Sequence, residues 1–288
     1  MIFLRIEAIF ERKISNFSLE NSFNPKKFSK TFFAQQKRGV NILCGVSKNI
    51  ISKTYICAMK IEVLYEDNHL IAINKEAGVL VQGDETGDEP LVEIVKKNIK
   101  VRYDKPGDVF LGVVHRLDRP VSGVTIFART SKALERMNKL LSDRLVEKTY
   151  WAIVKERPEE FDGTLINWLD KDKDKNITKV LDGKSRRHPD AKESELSYEL
   201  LSSIGNFHLL QVNPKTGRSH QIRAQLAHIG SPIKGDLKYG FVGANPDKSI
   251  GLHCRSMKFI HPVLKTEIEI VADPPNDQVW KQFIKVLL

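Results

Sequence analysis

The stretch GVVHRLDRPVSGVTIFART, residues 112–130, places a strand, a charged bend and a second strand in succession, with no helix between them. Val124, Thr125, Ile126 and Phe127 are the β-branched and aromatic residues that fit a pleated surface. Strands that follow one another directly do not give the regular strand–helix alternation of a doubly wound parallel sheet. His115, Arg116 and Asp118 put three ionisable groups into four positions at the bend. Alone, such a cluster reads as a surface ion-pair group, so any further meaning depends on what surrounds it.

Reading outward extends the pattern. Downstream, Ser131 caps a predicted helix, SKALERMNKLLSDRL, whose Leu134, Met137, Leu141 and Leu145 form one apolar stripe expected in the core. A strand is expected at KTYWAIVK (148–155). The run from Asp170 to Ser194 is too charged to be buried and reads as a surface excursion, in which Lys184, Ser185, Arg186, Arg187 and His188 are candidates for phosphate contact or for plain solvation. SELSYELLSSI and FHLLQVNPK predict a hairpin about Gly205–Asn206. GRSHQIRAQLAHIG predicts a helix with Ile222, Leu226 and Ile229 inward and His220 and Arg223 on another face. Two closing strands (252–262 and 265–275) and a short helix over 278–288 complete the chain. Upstream, KIEVLYEDNHLIAINKEAG (60–78) reads as a hairpin turning at Glu66–Asn68, and 91–103 as a helix. Strands outnumber helices, so the expected class is α+β: a central mixed, mostly antiparallel sheet with flanking helices and a catalytic cleft.

Composition bounds the function. The chain has 288 residues, 41% hydrophobic and 28% charged, within the range of globular proteins and long enough for a large core. No apolar run has the length a bilayer span requires. Cys44, Cys57 and Cys254 are scattered, which excludes a disulfide scaffold and suits a reducing, cytoplasmic setting. The opening MIFLRIEAIFERK carries charges through its apolar run and makes a poor secretory signal. Of the net charge of +10, residues 1–58 hold ten Lys or Arg against three Asp or Glu, and the remainder is nearly balanced. Net charge alone therefore says little about partners. Residues 1–58 differ in texture from the rest of the chain and read as a basic extension, either without fixed structure, upstream of a true start at Met59, or an arm that touches RNA. Residues 59–288 read as one folded domain with a natural start at Met59.

Four islands stand in order between about Lys60 and Pro275: the strand pair ending in Asn74-Lys75-Glu76-Ala77-Gly78, the loop His115-Arg116-Leu117-Asp118, the strand segment Lys148-Thr149-Tyr150, and Thr216-Gly217-Arg218-Ser219-His220-Gln221-Ile222-Arg223. Together they resemble the RluA-type pseudouridine synthases. Two positions depart from the family pattern: Glu76 stands where Pro is usual, and Val121 where Thr usually precedes Ser122-Gly123. Both bear on turn rigidity rather than on the reacting groups.

The resemblance implies a pseudouridine synthase fold and the isomerisation of uridine to pseudouridine in a structured ribosomal or transfer RNA, by base flipping. Asp118 is then the catalytic carboxylate. Arg116 enters the stack vacated by the base, Tyr150 packs on the flipped uracil, and Arg223 pairs with Asp118. These roles suit the chemistry, since a base inside a helix cannot rotate and must be extruded at a cost of a few kcal/mol. A guanidinium can stack and hydrogen-bond in the gap, a phenol offers an aromatic face, and an opposite charge keeps a carboxylate ionised. His115, His220 and Lys75 read as supports. No metal or other cofactor is implied, and the expected partner is RNA, with no membrane, for a monomeric enzyme.

Two other functions compete. A glycoside or nucleoside hydrolase needs two facing carboxylates, where these islands offer Arg beside a single acid. A catalytically inactive RNA-binding module assisting ribosome assembly would not require Asp118, Tyr150 and Arg223 together.

Overall fold

The computed structural model describes residues 61–287, so the expectation for residues 1–58 lies outside the described residues. Strands β1 (Glu62–Glu66), β2 (Leu70–Lys75), β3 (Gly112–Val113), β4 (Ser122–Ala128), β5 (Val146–Val154), β6 (Asp162–Asp172), β7 (Ile177–Leu181), β8 (Lys192–Ile204), β9 (Phe207–Pro214), β10 (Leu252–Ile260) and β11 (Glu267–Val271) form one sheet. Its order is β1-β2-β4-β10-β5-β9-β8-β6-β7, with β3 on β4 and β11 on β10. Among these pairs only β4–β10 is parallel. The helices are α1 (Leu91–Arg102), α2 (Ser131–Ser142), α3 (Gln221–His228) and α4 (Gln278–Leu287). The mixed, mostly antiparallel α+β architecture is the one expected.

Successive residues of a strand point to opposite faces, and the core divides accordingly. Ala152 and Val154 of β5 and Leu210 of β9 join the main core with α1, through Val95 and Ile99, and α3, through Ile222 and Leu226. Their neighbours Ile153 and Leu209 face the other way, onto Trp280 and Phe283 of α4. Both faces of the central strands are therefore covered.

The parallel contact of β4 with β10 is the join on which the site depends. Gly123 has φ +115°, and a Cβ there would lie 2.3 Å from the carbonyl oxygen of Cys254. Only glycine lets the two strands close at this point. Cys254 pairs on its other side with Tyr150 of β5. The segment carrying Asp118 thus enters the sheet two strands from Tyr150, and β5 borders β9, whose end leads into α3.

Three local expectations need correction. The run Asp170–Ser194 is not simply an excursion: its first part is the β6–β7 hairpin, with Asp170 opposite Lys179, and its last residues begin β8. Charged side chains are tolerated there because outward positions alternate with inward ones such as buried Thr178. The cap of α2 is Thr130, whose hydroxyl accepts from Ala133 N at 3.1 Å, rather than Ser131. Leu145 is no part of the helical stripe; α2 ends at Ser142, Arg144 turns at φ +58°, and Leu145 is 59% exposed.

Candidate active site

A cleft of about 610 Å³ opens where the loop before β4, the start of β5 and the β9–α3 turn meet. Arg116, Asp118, Tyr150 and Arg223, separated by up to 107 positions in the chain, all line it. Apolar Val121, Leu141, Ile222 and Leu252 share the walls.

Asp118 accepts from Arg223 Nη1 through Oδ2 at 2.8 Å. The same guanidinium grips Asp236 bidentately, with Nε to Oδ2 at 2.7 Å and Nη2 to Oδ1 at 2.9 Å. Burial works against the Arg223 charge, but the hydrogen bonds and charge of Asp236, then those of Asp118, raise its pKa above the usual arginine value. A bidentate fork on one carboxylate fixes the direction of the remaining nitrogen toward the other. Asp236 is 1% exposed and is not part of the cleft wall. The site therefore contains a second acid, neutralised from behind, and not the pair of facing carboxylates that hydrolysis at an anomeric carbon requires.

His220 stands at the N-cap of α3 with φ +53°. The hydroxyl of Tyr239 accepts the Thr178 amide at 2.9 Å and lies 2.9 Å from His220 Nδ1. With the phenolic proton given to Nδ1, the imidazole carries its own proton on Nε2, 3.7 Å from Asp118 Oδ2. Burial, opposed by Asp118 and reinforced by Arg223, lowers the His220 pKa to about 4, so the ring is neutral at pH 7. His115 is likewise held neutral, its pKa pushed down to about 4 by burial and then by Lys148, and its Nε2 accepts the Ile126 amide at 3.1 Å. Both histidines, which the sequence suggested as supports, line the cleft.

The loop itself is braced from β2. Lys75, 1% exposed, donates to the carbonyls of Glu76 at 3.0 Å, Val79 at 2.8 Å and Arg119 at 3.2 Å. Gly78 N donates to Arg119 O at 2.7 Å, and Arg119 Nε returns a bond to Gly78 O at 2.9 Å. Two of these bonds close the 75–79 turn on itself and three lock it to the Asp118 loop, without the proline that Glu76 replaces. On the other side, the Gln221 side chain accepts from Thr216 Oγ1 and Arg218 N and donates to Glu195 O, closing the turn that precedes Arg223.

Tyr150 is half-buried, and burial, then the neighbouring Cys254, holds its pKa well above the ordinary tyrosine value, so it is a neutral phenol. Arg116 is exposed and forms no ion pair or side-chain hydrogen bond among the described residues. Sequence reasoning missed Asp236, Tyr239 and Gln221. Asp236 and Tyr239 fall in a polar Gly-rich segment whose burial has no periodic signature.

A family model described as RNA pseudouridylate synthase matches residues 69–228, a span that holds all four expected site residues. The chain belongs to the RNA pseudouridylate synthase family. Among relatives, this synthase is 29% identical over 259 residues to ribosomal large subunit pseudouridine synthase C of Buchnera aphidicola subsp. Schizaphis graminum, which covers 86% of this chain and 78% of the relative. It is 32% identical over 243 residues to tRNA pseudouridine synthase C of Vibrio parahaemolyticus, covering 78% and 94%. The solved human RNA pseudouridylate synthase domain containing 4 shares the fold at a TM-score of 0.64 and 24% identity, over 82% of this chain and 95% of the human one. The RluA-type resemblance is borne out: the protein is an RNA pseudouridine synthase, an isomerase. Among the described residues of this synthase no helix is long and apolar enough to cross a membrane.

Proposed function

We propose that this synthase flips its target uridine into the cleft and that Asp118 is the carboxylate that drives the isomerisation. The observation that carries the reading is the grip of Arg223 on one oxygen of Asp118 in a cleft that also presents Tyr150 and Arg116. Oδ2 is taken by Arg223, and Oδ1 has no hydrogen-bond partner among the described residues, so Oδ1 is the reactive oxygen.

The reaction breaks the bond from the anomeric carbon to uracil N1, rotates the base and forms a bond to C5. The proton lost from C5 is matched by one gained at N1, with no change of oxidation state overall. Asp118, held in place by Arg223, acts at the sugar or base while the apolar walls restrict water that would otherwise capture the activated sugar. Tyr150, a neutral phenol, packs on the flipped ring and can donate a hydrogen bond to it. Arg116, free of protein partners among the described residues, is available to fill the gap in the RNA stack. A catalytically inactive assembly module would have no use for this charge arrangement.

The names of the relatives divide between ribosomal and transfer RNA, and the substrate is a structured RNA of one of these classes. The expected state remains a monomer, and the scattered cysteines suit the cytoplasm.

Asp118→Asn keeps shape and removes charge. It is expected to bind RNA and form no pseudouridine by carbodiimide mapping; near-normal turnover would show that another group does the chemistry. Mapping total RNA from a deletion strain then identifies the position, and an unaltered pseudouridine pattern would count against the activity in the cell.

A further inference from the structure

A second cavity, of about 490 Å³, adjoins the catalytic cleft and shares the Gly217–Arg218–Ser219 turn with it. Lys171 and Lys173 of the β6–β7 hairpin, Lys192 of β8 and Arg218 supply its cationic lining. None of the four forms an ion pair with a carboxylate among the described residues. The adjacent Lys215, by contrast, is neutralised by Glu195. Two acids face the groove: Asp170, which is engaged by His188 Nδ1 at 2.6 Å, and Asp190, which is exposed. A concave surface with this excess of unpaired cations concentrates a positive field.

Gly217 lies on the ridge between the two cavities and is exposed. Its φ is outside the left-handed region, and a Cβ built there would have no atom of the protein within 4 Å. Neither backbone conformation nor internal packing requires glycine at this position. A low ridge does matter to a chain that crosses it from outside.

We propose that the RNA strand flanking the target uridine crosses Gly217 and lays its phosphates in the groove formed by Lys171, Lys173, Lys192 and Arg218. The inference rests on the reading that the uridine occupies the cleft beside Asp118. It assigns the groove to backbone contact, which sets the register of the RNA without reading its sequence.

The test is the salt dependence of binding by the full chain to an in vitro transcript of a uridine-containing stem-loop. The double variant Lys173→Gln/Lys192→Gln is compared with Lys281→Gln/Lys285→Gln, which makes the same charge change on exposed positions of α4. Each lost phosphate contact lowers the slope of log K against log salt by about 1, so the groove variant should lose about 2 and the α4 variant nothing. Gly217→Ala should bind the transcript roughly tenfold more weakly, about the cost of one lost contact, with the melting temperature of the parent. A groove variant whose slope equals that of the parent or of the α4 variant overturns the proposal, as does a Gly217→Ala protein that binds like the parent. The Asp118→Asn turnover assay addresses the cleft separately, so failure of one reading is not mistaken for failure of the other.

Discussion

Arg223 holds Asp118 by one nitrogen, Nη1 to Oδ2 at 2.8 Å, while its other two donor nitrogens are committed to Asp236. The guanidinium acts as a fixed spacer between an acid on the cleft and an acid behind it. Charge and direction are both needed, and only the planar fork of arginine supplies both.

Arg223→Lys tests this. A lysine keeps the charge but cannot bind Asp236 bidentately and reach Asp118 as well. The expected result is a loss in kcat of roughly a hundredfold, the scale of removing one preorganised donor, with RNA affinity retained. A fall in affinity at constant kcat would show that Arg223 serves binding instead.

Asp236→Asn removes the rear anchor without altering the side chain's shape. Arg223 then loses a charged partner in a buried setting, and the protein should lose about 1–3 kcal/mol of stability by urea unfolding. Turnover should fall as well, because Nη1 is no longer aimed. Reduced stability with kcat intact would make Asp236 a packing residue alone.

What could be read from the residues divides along physical lines. The hairpin about Gly205–Asn206, helix α1 and the closing strands follow local periodicity and turn chemistry and stand where expected, whereas α3 begins at Gln221 rather than Gly217 and His220 is not on its face but turned to φ +53° at its N-cap. The β6–β7 hairpin was hidden because strand pairing of alternately exposed charged residues has the composition of a loop. Motifs singled out Asp118, Arg116, Tyr150 and Arg223, which the structure brings to one cleft, whereas Asp236 and the Tyr239–His220 contact were not foreseen. A buried aspartate is recognisable only by the cation it meets in three dimensions.

Lys75→Met should be costly for a reason unrelated to charge in the cleft. Burial pushes the Lys75 ammonium down to about 7, with Asp118 pulling it back up, and of its three carbonyl partners only that of Arg119 keeps another donor, the Gly78 amide, once it is gone. The loss should be about 3 kcal/mol in urea unfolding. The Asp118 loop should also loosen, lowering kcat more than it raises KM. A variant with parental stability would mean that water satisfies those carbonyls.

Gly123→Ala forces a Cβ into the Cys254 carbonyl at 2.3 Å and strains a backbone at φ +115°. The parallel β4–β10 contact should open, costing about 3 kcal/mol or more. Urea unfolding checks this, and a parental midpoint would show that the strands can separate without penalty.

His253 makes stability depend on pH in a defined direction. It is fully buried between β4 and the chain after β11, with Ser122 Oγ 2.9 Å from Nδ1 and Ala272 O 3.1 Å from Nε2. The carbonyl can only accept, so in the neutral ring Nε2 carries the proton and Nδ1 accepts from the serine. Burial, opposed by the Ala272 carbonyl, lowers the pKa from 6.5 to about 4. Between these values the unfolded chain binds a proton that the folded chain does not, so stability rises with pH across the window. It is complete above about 6.5 and is progressively lost as the pH falls to about 4, by on the order of 3 kcal/mol from this residue. Glutamine can donate to Ala272 O and accept from Ser122 while carrying no titratable proton. His253→Gln should therefore flatten the stability curve between pH 6.5 and 4 by that amount, and an undiminished slope would assign the acid sensitivity to other groups.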